Sequence, residues 1–244
     1  MLILNAAVPL HFCATRDSQA SRLVRFEIYS VLGQGTCIFA RVGNDRHAEQ
    51  AFITAAISVP MTGESECGDS WSQAHFPGRS VFIVADGLGH GEDAAEAAQE
   101  AIQIFHRVPD LGPKPMLQRI HDALRKTRGA AVAVAEIDIE RHRLLYAGVG
   151  NIFSSVLNNG STYSMVSHNG TLGHTLSRIQ EFSYTWTPQS TLVMQSDGLT
   201  SHWDLWRYPG LALKHPLLIA GVLYRDAKRG RDDATVLVSR ETGK

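Results

Sequence analysis

The stretch Val81-Phe82-Ile83-Val84-Ala85-Asp86-Gly87-Leu88-Gly89-His90-Gly91 decides how this chain is read. Five apolar residues, rich in β-branched side chains, predict a buried strand. It ends on one carboxylate, and glycines follow at alternating positions. A bare carboxylate is among the costliest groups to bury, so Asp86 needs a cation or hydrogen bonds to offset its desolvation. The alanine-rich run 92–108 reads as a helix that starts directly after the glycines. Strand and helix are therefore joined by irregular backbone whose main-chain groups can face a cation or a phosphate.

Upstream, Gly68-Asp69-Ser70-Trp71 is a second acidic site, and Pro77-Gly78 is a turn signal between it and the apolar strand. The spacing predicts a hairpin that sets Asp69 beside Asp86. Downstream, Leu117, Ile120, Ala123 and Leu124 recur at three- and four-residue spacing and predict a second helix over 116–128. Short strand-like runs follow at 130–137, 143–147, 152–157, 161–166, 179–185 and 191–195, with Asn158-Asn159-Gly160 as a hairpin turn. A late helix at 216–228 precedes a last strand at 234–239. Helices set between groups of consecutive strands predict an α+β fold with two packed, largely antiparallel β-sheets flanked by helices, and not a parallel βαβ sheet.

Two more strands meet carboxylates. Thr191-Leu192-Val193-Met194-Gln195-Ser196-Asp197-Gly198-Leu199 repeats the apolar strand followed by Asp-Gly-Leu, and Arg231-Asp232-Asp233-Ala234-Thr235 places two aspartates before the last strand. Four strand ends converge on one point only if their strands are neighbours. Hard oxygen ligands without cysteine or paired histidines favour magnesium or manganese over zinc. Two such ions about 3.5–4 Å apart activate water and hold a phosphate in line for displacement, so no serine or cysteine nucleophile is needed. Taken one at a time, each aspartate also fits a helix cap or a turn residue; the ordered set is what points to a metal centre. His90, inside the glycine loop, is the histidine best placed to protonate a leaving oxygen.

Gly68-Asp69, Asp86-Gly87-Leu88-Gly89-His90-Gly91, Ser196-Asp197-Gly198-Leu199 and Asp232-Asp233-Ala234-Thr235, in this order, resemble the motif set of the PPM (protein phosphatase 2C type) metal-dependent serine/threonine phosphatases. The similarity is greatest to the SpoIIE-like bacterial branch and its small stress-response feedback phosphatases, and it covers about residues 50–240. The resemblance implies an α-β-β-α sandwich and two Mn²⁺ or Mg²⁺ ions. It makes Asp86 the bridging ligand, with the Gly87 carbonyl beside it, Asp69 on one ion, and Asp197 and Asp232 on the other; Asp233 is the alternative to Asp232. Asp86, Asp69 and His90 would then carry the catalysis. The implied substrate is a phosphorylated protein, a STAS-domain regulator of a partner-switching sigma-factor pathway being the leading candidate. A non-catalytic pseudophosphatase that binds phosphoproteins is the alternative. The N-terminal arginine that holds the phosphate in many eukaryotic relatives has no counterpart here.

The N-terminal part divides at about residue 45. Residues 22–42 read as two strands around Gly33-Gln34-Gly35-Thr36, a pattern similar to the last glycine box of a GHKL-type ATP-binding domain. The motifs that precede this box in such domains are missing, so ATP binding is not expected. Residues 1–45 are thus read as an extension, 46–50 as a linker, and 46–244 as the phosphatase domain. With 23 basic against 24 acidic residues and 44% hydrophobic residues, the chain has a sizeable core and no basic surplus for nucleic acid or a membrane surface. Residues 1–14 lack the basic start of a secretory signal. Cys13, Cys37 and Cys67, odd in number and without metal spacing, fit free thiols and a cytoplasmic location.

Overall fold

The computed structural model describes residues 2–4, 23–42, 51–174, 176 and 178–242. The N-terminal strands are β1 (Leu2–Leu4), β2 (Leu23–Val31) and β3 (Gly35–Val42). Next come β4 (Phe52–Val59), β5 (Asp69–Phe76), β6 (Arg79–Gly87) and the helices α1 (Glu92–Arg107) and α2 (Pro113–Ala123). The chain continues through β7 (Ala130–Asp138), β8 (Arg143–Val149), β9 (Phe153–Asn158), β10 (Ser161–Ser164) and β11 (Phe182–Thr185). It closes with β12 (Thr191–Gln195), α3 (Pro216–Ala227) and β13 (Ala234–Glu241).

Two five-stranded antiparallel sheets form the centre, ordered β11-β8-β7-β6-β5 and β10-β9-β12-β13-β4. β6 is buried on both faces, which explains its unbroken apolar run. Period-two alternation sends Val81, Ile83 and Ala85 toward α1 and α2, and Phe82 and Val84 toward the second sheet. By the same parity Asp86 belongs to the inter-sheet face. In the second sheet Leu192, Met194 and Leu237 face the first, whereas Val193, Val236 and Val238 pack under α3. The layers are therefore helices, sheet, sheet, helix, as the motif resemblance implies.

Each predicted strand and helix is present, with ends shifted by a few residues; α2 starts at Pro113 because proline suits the first helical turn. The hairpin β2–β3 is also present. Its inward residues Tyr29, Cys37 and Phe39 are buried in the same apolar cluster as Leu218, Ile219 and Val222 of α3, and Phe39 stacks on His215 with ring centroids 4.2 Å apart. The expected linker 46–50 and Cys13 lie outside the described residues. Cys37 and Cys67 are free thiols. Among the described residues, no helix is long and apolar enough to cross a membrane.

Candidate metal centre

Asp69, the first residue of β5, pairs directly with Asp86 near the end of β6, so the predicted hairpin brings the two carboxylates onto one face. Pro77 and Gly78 (φ 69°) make the tight turn that sets this register. β12 and β13 are neighbours, which delivers Ser196-Asp197 and Asp232-Asp233 to the same end of the sandwich. Asp69, Asp197, Asp232 and Asp233 all act electrostatically on Asp86. Burial first, and then these four charges, hold the Asp86 carboxyl well above the usual range. Burial likewise pushes Asp69 up to about 7, opposed by the Ser196 hydroxyl and reinforced by Asp233 and Asp232. Asp232 is raised by burial, then by Asp197 and Asp233.

Hydrogen bonds fix the acids one by one. Ser196 Oγ donates to Asp69 Oδ2 at 2.6 Å and accepts from the Thr235 amide at 2.9 Å, tying the two sheets together beneath the site. Asn151 Nδ2 donates to Asp197 Oδ2. The Met61 amide donates to Asp233 Oδ1 at 2.9 Å, and the Asp233 amide donates to Asp232 Oδ1 at 2.9 Å. The two adjacent aspartates differ: Asp233 is buried between the sheets and anchors the 60–68 loop, whereas Asp232 is more exposed and lies on the Asp197 side.

Gly87 and Gly198 are required by close approach. A Cβ on Gly87 would stand 1.9 Å from the Ala94 carbonyl oxygen of α1, and one on Gly198 would stand 1.8 Å from the Asp233 carbonyl oxygen. Each glycine thus lets a second backbone pack against the residue that follows a carboxylate, which locks Asp86 and Asp197 in place. Small residues on α1, Ala94, Ala97, Ala98 and Ala101, permit the same close contact. Gly89 (φ 90°) and Gly91 (φ 74°) supply the left-handed turns that lead into α1. His90 between them is half exposed, and its Nδ1 lies 2.6 Å from Glu64 Oε1. It acts electrostatically on Asp232, which places it at the rim of the carboxylate cluster.

No three of the described histidine, cysteine, aspartate or glutamate side chains stand close enough to enclose an ion as they are. The donor set nevertheless fits one. Asp69 Oδ1 and Asp233 Oδ2 are buried and make no hydrogen bond, an expensive state for a carboxylate oxygen. Mutual repulsion among all-oxygen donors is the condition a hard divalent cation relieves. Ser196 lies inside a sequence motif that assigns it no role, and Asn151 and Glu64 lie outside the four motifs. Only the folded chain shows these three orienting the acids and His90. Burial holds the Cys67 thiol up at about 12, which removes it as a nucleophile.

Two antiparallel sheets packed face to face, helices outside, and carboxylates from both sheets at one end define a PP2C-type phosphatase domain. The chain belongs to the SpoIIE family: residues 77–241 match the sequence model of stage II sporulation protein E. Over 147 residues it is 25% identical to the phosphoserine phosphatase RsbX of Bacillus subtilis (strain 168), covering 60% of this chain and 74% of RsbX. The crystal structure of RsbX in complex with magnesium superposes with a TM-score of 0.70 at 21% identity, over 80% of this chain and 98% of that one. The catalytic domain of the serine/threonine phosphatase PstP, solved with two manganese ions, gives a TM-score of 0.62 at 18% identity, over 79% and 99% of the two chains.

Proposed function

We propose that the chain is a metal-dependent phosphoprotein phosphatase that hydrolyses phosphoserine or phosphothreonine. We further propose that its substrate is a phosphorylated protein, with a STAS-domain regulator of a partner-switching stress pathway as the first candidate. The observation that carries this reading is the pairing of Asp69 with Asp86 across β5 and β6, with Asp197, Asp232 and Asp233 acting on the same carboxyl. Membership of the SpoIIE family and the likeness to RsbX support it.

In this reading Asp86, Asp69, Asp197 and Asp232 would hold two Mn²⁺ or Mg²⁺ ions, with Asp86 as the central ligand, the Gly87 carbonyl as a further one, Asp69 serving one ion and Asp197 with Asp232 the other. Met61 engages Oδ1 of Asp233 and leaves its Oδ2 unpartnered, so Asp233 stands as the alternative to Asp232 as a ligand. The bound ions supply an activated water and neutralise phosphate charge. Ser196 and Asn151 hold Asp69 and Asp197 in their orientations. His90, fixed through Nδ1 by Glu64, keeps Nε2 for delivering a proton to the leaving serine oxygen. Residues 46–244 form the phosphatase domain, and residues 1–45 an extension of GHKL-like pattern whose hairpin buttresses α3. The free thiols of Cys37 and Cys67 support a cytoplasmic location. No observation favours the non-catalytic alternative.

The test is hydrolysis of p-nitrophenyl phosphate and of a phosphorylated STAS-domain protein, with and without manganese. Turnover should vanish on chelation and in Asp86→Asn. Turnover that survives both would refute the mechanism.

A further inference from the structure

A cleft of ≈ 380 Å³ opens beside the carboxylates of the second sheet, lined by Asn151, Ser167, Ser196, Asp197, Ser201 and Arg229 among others. It joins Asp197, a proposed ion ligand, four neutral polar residues, four apolar residues (Ile152, Phe153, Met165 and Leu199) and the Arg229 guanidinium. Its volume lies within the range of small-ligand pockets.

Arg229 is held in place by its backbone. Its amide donates to the Gly198 carbonyl at 2.8 Å, and the Thr200 amide donates to the Ala227 carbonyl at 2.8 Å. Leu199 and Lys228 form the antiparallel bridge between these two bonds. The segment after Asp197 and the segment after α3 are thereby tied into a short ladder, and Arg229 keeps a fixed relation to Asp197. Its side chain is solvent-exposed, and among the described residues its guanidinium has no hydrogen-bond or salt-bridge partner. Arg128, beside Gly89 of the glycine loop, differs: its Nη2 is engaged by Asp93 at 2.6 Å. Five carboxylates repel an incoming phosphate unless cations balance them. A guanidinium offers two parallel N–H donors to two phosphate oxygens, and these charge-assisted bonds are about twice as strong as neutral ones.

We propose that Arg229 binds the phosphoryl group of the substrate in this cleft. The assignment rests on the phosphatase reading above. The experiment uses the manganese-loaded chain and compares Arg229→Ala, Arg229→Lys and, as a surface-charge control, Arg141→Ala in the β7–β8 turn. Two quantities are measured: steady-state kinetics on p-nitrophenyl phosphate, which has no flanking peptide, and calorimetric titration with inorganic phosphate. Arg229→Ala should raise KM and weaken phosphate binding by about tenfold or more with a smaller change in kcat. Arg229→Lys should fall between, and Arg141→Ala should match wild type. Wild-type KM and phosphate affinity in Arg229→Ala would overturn the assignment, as would a loss confined to kcat. A wild-type chain inactive on the ester would refute the phosphatase reading instead, and the phosphate titration would still decide the role of Arg229.

Discussion

Replacing Asp69 by asparagine should stabilise the metal-free protein at neutral pH. The Asp69 carboxyl is buried, and burial lifts it from 3.8 to about 7. A carboxyl whose folded value is raised contributes stability that is fully present below its unfolded value and lost as pH rises through the folded one. Between about pH 4 and pH 7 the metal-free fold therefore loses stability. A rise of about three units at about 1.4 kcal/mol each sets a ceiling on the order of 4 kcal/mol. For a chain of this size about 1 kcal/mol moves the melting temperature by about 2–4 °C, so the ceiling is about 8–16 °C. Asparagine keeps an acceptor for the Ser196 hydroxyl and carries no charge. Thermal melts monitored by circular dichroism, in chelator, should show Asp69→Asn melting above wild type at pH 7.5, with the gap closing toward pH 4. Manganese should raise wild type by mass action, about 2.7 kcal/mol at a hundredfold excess over Kd, and raise the variant less. A variant that melts below wild type at pH 7.5 in chelator, or a gap independent of pH, would refute the reasoning.

His90→Ala should lower kcat on a phosphoserine peptide by about 100-fold while affecting p-nitrophenyl phosphate far less, because p-nitrophenolate leaves without a proton; equal losses on both substrates would remove His90 as the proton donor. Phe39→Ala should cost about 3–5 kcal/mol, since this buried ring joins the N-terminal hairpin to α3. Urea unfolding should then show one transition at lower urea, and an unshifted main transition would mean that the hairpin is an appendage.

Local patterns carried the architecture of this protein a long way. The apolar run 81–85 and the turn at Pro77-Gly78 predict β6 and its hairpin, because side-chain period and turn chemistry are local properties. The four acidic motifs likewise mark the strand ends that meet at the site, since their order along the chain is itself the signal. Other features depended on which strands become neighbours. Adjacent aspartates at 232 and 233 read alike in sequence, yet Asp233 is buried with its Oδ1 on the Met61 amide and Asp232, in the bend before β13, is more exposed and lies on the Asp197 side. Local pattern indicates only irregular backbone at Gly87 and nothing particular at Gly198, whereas the fold needs both glycines because another backbone comes within 2 Å of where a Cβ would stand. Glu64 meets His90, Ser196 meets Asp69, and Arg229 comes to line the same cleft as Asp197, across separations that no spacing rule spans. The sequence alone determined the strands, helices and acidic residues. Tertiary packing decided how those acids are oriented and which cation stands beside them, because both follow from contacts between residues remote in the chain.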